Sequence, residues 1–477
     1  MRERWRARAA ELGLDREAIL RAVGRERPGP TELRIEELAR AVTATRSHFD
    51  RRDVVQAVAD ALPNGAPVAD IERVADAFLA PEEVIPVSRT PRAERFTTKT
   101  VWEIERRALA RADRMRIATD RPAVPEVVIA RVLSARPSLK ADQRQMVERL
   151  LADRSGLAAV IGEAGTGKTY ALLAAAEGWS AAGVEVRAVA PTWRAANVLR
   201  SEGLEATSIA RLLAQLDRAD ELGRPGLAQG SVLLVDEAGM VDSATLARLL
   251  DRADAAGAKL VLIGDPAQLG EIEAGGLFAA MARRGDPIVL DQVIRHSHEL
   301  DREAAKRIRE GEGAEAFSRY AAEGRVTIAA DPQERRELMA ADWWQSFREG
   351  EDALMVAKRN AEVENLNRLA RELMCAEGRL GAKEIEVGGE RFAAGDHAIT
   401  RVNDHRAEIY NRERWRVAEV DAEARTVAWT ASTPQGGCVS MPSSWSGLMG
   451  ATGRRRCSTP TRRRPTRPRG RRWTPPL

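Results

Sequence analysis

The stretch Val160-Ile161-Gly162-Glu163-Ala164-Gly165-Thr166-Gly167-Lys168-Thr169 carries the spacing G-x-x-x-x-G-K-T. Those residue types in that order suit the phosphates of a nucleoside triphosphate. Glycines let consecutive backbone N–H groups turn inward on phosphate oxygens. A helix starting at the lysine adds the positive end of its dipole. Lys168 is placed to reach the β- and γ-phosphates, and the Thr169 hydroxyl to face Mg²⁺. The candidate nucleotide-binding set is therefore Gly162, Glu163, Ala164, Gly165, Thr166, Gly167, Lys168 and Thr169. The bland alternative is a glycine-rich turn that binds nothing.

Hydrolysis needs an acidic partner, and one follows. Ser231-Val232-Leu233-Leu234-Val235 ends in Asp236-Glu237-Ala238. Asp236 suits Mg²⁺, mostly through water, and Glu237 suits polarising an attacking water. Paired carboxylates at a strand end are also common helix-capping clusters. A third apolar run, Lys259 to Ile263, leads into Gly264-Asp265-Pro266-Ala267-Gln268-Leu269. Gln268 could touch the γ-phosphate there; a plain β-turn around Asp265-Pro266 is compatible with that role.

These residues need a scaffold that brings several strand ends together. Apolar runs predict strands at Leu157–Ile161, Val184–Val189, Val232–Val235, Leu260–Ile263 and Ile288–Leu290, alternating with helices, one of them over Lys168–Ala181. That is the pattern of an α/β parallel sheet, whose ligands sit at the carboxyl ends of the strands.

The P-loop, Ala190-Pro191-Thr192, Val235-Asp236-Glu237-Ala238 and Gly264 to Leu269 together are similar to superfamily 1 DNA helicases. Within these the chain resembles the RecD-type branch, above all the helicase region of MobF-type conjugative relaxases, over about residues 30 to 440. The resemblance implies ATP and Mg²⁺ as cofactors, single-stranded DNA as partner, 5′→3′ movement and company with other conjugation proteins. It makes Gln143, in Ala141-Asp142-Gln143, a reader of adenine. It makes Pro191, Thr192 and Trp193 a single-strand contact, with Thr207 in a second one. It makes Arg295, in Leu290 to Arg295, a finger on the γ-phosphate, although an ordinary surface arginine is the alternative. Trp193 could stack on a base or pack beneath its loop; both remain open.

The resemblance also divides the chain. Residues 1–130 read as a helical accessory region, with Thr97 to Thr100 capping a helix over Val101–Arg114. Residues 135–300 read as a first RecA-like domain. Residues 301–386 begin a second one, opening on a strand at Ala353–Ala357. Residues 387–432, with short alternating strands, read as an SH3-like β-barrel insert.

With 477 residues, several domains are expected. No apolar stretch reaches the length of a membrane span, and the charged N-terminus lacks a signal-peptide apolar region, so a cytoplasmic protein is expected. Cys375, Cys438 and Cys457 lack metal or disulfide spacing, and His296 and His298 read as solvated loop. The net charge of +4 misleads: ten arginines and no acid fall in residues 454–477, so the rest is mildly acidic.

Residues 443–477 show no helical or strand period. They read either as a disordered basic arm or as a frameshifted product. In the shifted frame, synonymous codon choices from Cys457 onward can encode a T-x-H-x-x-Q-G string similar to the next motif of the same helicases. Tyr170, Tyr320 and Tyr410 are isolated from any histidine cluster of relaxase type. Three functions are therefore in competition: an ATP-driven single-strand translocase, a remnant that holds ATP and DNA without turnover, and a nucleotide switch unrelated to DNA.

Overall fold

The computed structural model describes residues 34–442, apart from 45–46, 63–64, 81–83, 91–92, 164, 269–274, 292–297, 388–389, 402–408, 410, 412, 422, 424–425 and 432–437. The expectations for residues 1–33 and for the arginine-rich segment 443–477 lie outside the described residues. The chain forms two compact units, Met1–Ala316 and Phe317–Leu477.

The first unit opens with helices α1 (Ile35–Thr43), α2 (Arg51–Asp60) and α3 (Val68–Phe78). A hairpin follows, β1 (Val84–Thr90) and β2 (Ala93–Thr98), which corrects the all-helical reading of residues 1–130. The hairpin hides in sequence because Pro86 and several arginines and threonines interrupt its apolar pattern. It is held from outside: Phe96 bridges to Phe49, whose ring also meets Phe78, in a core with Leu38, Val54 and Val58. The Thr98 hydroxyl then caps α4 (Lys99–Ile117) by accepting from the Val101 N–H at 3.3 Å.

Helices α5 (Glu126–Ala135) and α6 (Ala141–Ala152) lead to the alternating strand–helix region. It contains β3 (Leu157–Gly162), α7 (Lys168–Ala181), β4 (Val186–Ala190), α8 (Trp193–Ser201), β5 (Ala206–Ser208), α9 (Ile209–Glu221), β6 (Val232–Val235), α10 (Ser243–Ala255), β7 (Lys259–Gly264), α11 (Leu277–Arg284) and β8 (Ile288–Leu290). The strands form one parallel sheet of order β5-β4-β6-β7-β3-β8. Each of the five strands predicted for this sheet is present within two residues of its expected ends.

Period-2 alternation divides the core between the two faces of the sheet. Val160, Val232, Leu234, Val261 and Ile263 pack on one side against α5 to α8. Leu157, Leu233, Val235, Leu260 and Leu262 pack on the other, against α4 and α9 to α11. Both faces are covered, as the continuous apolar runs require. Lys259 is buried at the opposite sheet end from the candidate site, where its ammonium donates to the Asp153 carbonyl and pairs with the Asp153 carboxylate at 3.1 Å. Helix α12 (Glu299–Arg309) follows β8, and α13 (Gly313–Ala322) begins shortly after it.

The second unit holds α14 (Pro332–Arg348), α15 (Asn360–Ala376), a hairpin of β9 (Glu384–Val387) and β10 (Glu390–Ala393), and a four-stranded antiparallel sheet. That sheet runs β11 (His397–Ile399), β12 (Arg414–Asp421), β13 (Thr426–Ala431) and β14 (Cys438–Pro442) in sequence order. Phe392 of the hairpin packs on Trp429, and Ile385, Trp415 and Val417 complete a shared β core. The strand expected over Ala353–Ala357 is not formed. A strand requires a hydrogen-bonding neighbour. This segment has none among the described residues, so its apolar composition alone does not make it one, and Leu354 and Val356 stand exposed.

Candidate functional site

The P-loop leaves β3 at Gly162 and enters α7 at Lys168. Gly165 and Gly167 have φ of 86° and 75°, left-handed values that favour glycine. A Cβ on Gly162 would lie 2.9 Å from Thr166 Oγ1 and 3.1 Å from Leu290 Cβ, so the loop can close only over a bare backbone. The Lys168 ammonium donates to the carbonyls of Gly162, at 2.6 Å, and Glu163, at 2.9 Å. Its charge is thus parked along the loop itself. Thr166 is fully buried and donates its hydroxyl to the Glu163 carbonyl at 2.9 Å. Ala164 lies outside the described residues.

Gln143 is 2 % exposed near the start of α6. Its Nε2 donates to the Thr166 carbonyl at 2.8 Å, while its Oε1 accepts the Lys140 N–H at 2.9 Å. Both ends of the amide thus clip α6 to the P-loop.

The acidic pair follows β6, two strands from β3 in the sheet. Asp236 is half-buried and its Oδ1 accepts the Glu237 N–H at 2.9 Å. Burial raises the Asp236 carboxyl above its ordinary value, opposed by that backbone bond and by Lys168. Glu237 is raised too, first by desolvation and then by the Asp236 charge, with Lys168 again opposing. Glu237 is the one non-glycine among the described residues with positive φ, 51°. Backbone strain of this kind concentrates at functional positions.

Strand β7 lies between β6 and β3, so its end falls between the two chemistries. Gly264 closes the strand: a Cβ there would meet Gly239 N at 2.9 Å and Ala238 N at 3.2 Å. A Cβ on Gly239 would in turn meet the Asp265 carbonyl at 3.0 Å. Two bare backbones therefore hold the Asp236–Glu237 turn against the Gln268 turn. Gln268 is exposed, and its N–H reaches the Asp265 carbonyl at 3.3 Å, so the expected turn is real. Arg295 lies outside the described residues.

A cation at this site fits the donors present. One desolvated carboxylate, Asp236, and one hydroxyl, Thr169, suit Mg²⁺, which takes its other ligands from water and phosphate. No cluster of three or more His, Cys, Asp or Glu side chains able to hold a metal occurs among the described residues.

The two candidate DNA segments end β4 and β5, adjacent strands at one edge of the sheet. Pro191 is half-buried, and the exposed Thr192 spends its hydroxyl capping α8, accepting the Ala195 N–H at 3.1 Å. Trp193 is 8 % exposed, with the guanidinium carbons of Arg200 and Arg211 4.4 and 5.5 Å from its ring centroid. This is a packed wall carrying two cations, rather than an open platform for a base. Thr207 pairs with Val189 across the strands, and its buried hydroxyl oxygen makes no hydrogen bond.

Sequence reasoning missed Arg309, the last residue of α12. It grips Asp265 with two bonds of 2.7 Å and lies 3.3 Å from the Glu163 carboxylate. Burial opposes the charge on Asp265, yet Arg309 and the Ala267 N–H outweigh it and hold that carboxyl below its ordinary value. No spacing rule marks a lone helical arginine; only the fold carries it to the loop.

Residues 138–331 match the family described as AAA domain. The chain is 32 % identical over 337 residues to a probable conjugal transfer protein TraA of Sinorhizobium fredii, covering 70 % of this chain and 30 % of that one. It is 33 % identical over 164 residues to the ATP-dependent RecD2 DNA helicase of Deinococcus radiodurans, covering 34 % and 22 %. A solved structure of Pif1 helicases at forked double-stranded DNA aligns at 15 % identity with a TM-score of 0.39, covering 63 % of this chain and 75 % of that one. The chain spans less than a third of the length of the two curated relatives. The resemblance to RecD-type helicases and to conjugative transfer proteins, drawn from the motifs, is thereby borne out. No helix among the described residues is long and apolar enough to cross a membrane.

Proposed function

We propose that this chain is the motor portion of a conjugative transfer protein, hydrolysing ATP to move 5′→3′ along single-stranded DNA. The observation that carries the reading is the layout of one sheet edge. Strands β3, β7 and β6 end in the P-loop, Gln268 and the Asp236–Glu237 pair, while the adjoining β4 and β5 end in Pro191–Trp193 and Thr207. On this reading, nucleotide chemistry and a track for a strand share one parallel sheet. A nucleotide switch unrelated to DNA would have no use for the second half of that edge.

In the proposed cycle, ATP phosphates enter the loop and Lys168 exchanges the Gly162 and Glu163 carbonyls for phosphate oxygens. Thr169 and Asp236 hold Mg²⁺, which when bound offsets phosphate charge. Glu237 orients a water towards the γ-phosphorus and accepts its proton. Gln268 senses whether the γ-phosphate is present. Gln143 keeps the loop in shape by holding the Thr166 carbonyl, and Arg295 supplies charge to the γ-phosphate from the segment beyond β8. On the DNA side, the Arg200–Arg211 pair over Trp193 meets the sugar-phosphate backbone beside the strand ends that carry Thr192 and Thr207, which gives binding without sequence preference.

The test is steady-state ATP hydrolysis with and without an unstructured single-stranded oligonucleotide. Stimulation by the strand, absent in Lys168→Ala, supports the motor. Hydrolysis indifferent to DNA supports the nucleotide switch. ATP and DNA binding without hydrolysis supports a remnant that has lost turnover.

A further inference from the structure

We propose that Arg309 is a positioning residue that fixes the P-loop and the Gln268 turn to helix α12, so that triphosphate entering the loop is felt along that helix. The inference rests on the reading of the P-loop as a nucleotide site.

Three segments meet at this one guanidinium. Asp265 follows β7 directly and begins the Gln268 turn; Glu163 is inside the P-loop; Arg309 closes α12, whose first turn follows β8 and the segment bearing Arg295. The two contacts are unequal. The Asp265 side chain is only 2 % exposed and takes both prongs of the fork at 2.7 Å. Breaking that pair would strand a buried carboxylate without its counter-charge, which is strongly unfavourable. The Glu163 side chain is 34 % exposed and its contact is single and longer, 3.3 Å. Arg309 therefore stays with Asp265, and the Glu163 contact is the one that yields.

Nucleotide has a direct reason to disturb it. The Glu163 carbonyl is one of the two acceptors that hold Lys168, and phosphate takes that lysine away. The incoming phosphate charge also repels the Glu163 carboxylate. Both effects act on a residue tied to α12 through Arg309. Next to it, Arg307 pairs with Glu312 at 2.9 Å and with Glu315, so the end of the helix is braced to the chain that follows. A fork whose geometry only arginine supplies suits this use; lysine keeps the charge and loses the second prong.

Hydrogen–deuterium exchange of the full chain, with and without Mg²⁺ and a non-hydrolysable ATP analogue, tests the idea. In the unaltered protein, analogue should slow exchange in peptides spanning the P-loop and, as the Glu163 contact yields, speed it in peptides spanning residues 299–309. Arg309→Ala should keep the P-loop response and lose the α12 response, and Arg309→Lys should weaken the α12 response. A merely structural role would lower the melting temperature yet leave the α12 response in place in both variants, and that result overturns the proposal. If Arg309→Ala does not fold, Arg309→Lys decides: an undiminished α12 response rejects the coupling. A P-loop response with no α12 response in the unaltered protein rejects the coupling and leaves the nucleotide site standing. No response in either place rejects both.

Discussion

Glu237 bears two costs that no core position would accept. Its backbone is left-handed at φ 51°, and its carboxyl is raised by desolvation and by Asp236 beside it. A left-handed non-glycine residue costs about 1–2 kcal/mol, part of which glycine returns by loosening the unfolded chain, about 0.4–1 kcal/mol. Glu237→Gly should therefore stabilise the nucleotide-free protein by up to ~1 kcal/mol while abolishing ATP turnover. Chemical denaturation paired with an ATPase assay checks it; a variant that is both less stable and still active contradicts the catalytic assignment. Gln143 shows the reverse case. Its side chain looks available in sequence, yet both ends of its amide are engaged by the protein, with Thr166 and Lys140.

At the scale of elements, the site depends on how closely β7 approaches the turn after β6. The tightest contacts at Gly264 and Gly239 are backbone against backbone, which cannot give way as the end of a flexible side chain can, and the buried Phe278 ring stands 3.1 Å from a Cβ at Gly264. Gly264→Ala should cost about 1–3 kcal/mol, the usual penalty for overfilling a packed site. It should also lower turnover by shifting Glu237 relative to the loop. An unchanged melting temperature and rate would mean the two turns are not held in register there. The parallel sheet was legible in the sequence because buried strands are near-continuous apolar runs and because the P-loop fixed where β3 ends and α7 begins. The hairpin over Val84–Thr98 was not, since its pairing depends on Phe49, far away in the chain. Ala353–Ala357 failed in the opposite sense: composition favours a strand, but pairing is a tertiary event and no neighbour is present among the described residues. Trp193 was balanced between core and platform; its burial under Arg200 and Arg211 came from the packing of α8 and α9, which one-dimensional spacing does not reveal.

For the whole molecule, the proposed function requires that the two halves of one sheet edge communicate. Binding of nucleotide at β3, β7 and β6 must alter the grip on a strand at β4 and β5, and by linkage the strand must alter nucleotide affinity by the same factor. The direct measurement is the anisotropy of a labelled single-stranded oligonucleotide titrated with Glu237→Gln protein, with and without Mg²⁺–ATP, so that binding is observed without hydrolysis. The account predicts a single-strand affinity that changes with ATP by ~5-fold or more, the usual lower range of coupling between sites, and no change when Lys168→Ala is added. Identical affinity with and without ATP, in a protein shown to bind both ligands, would contradict it.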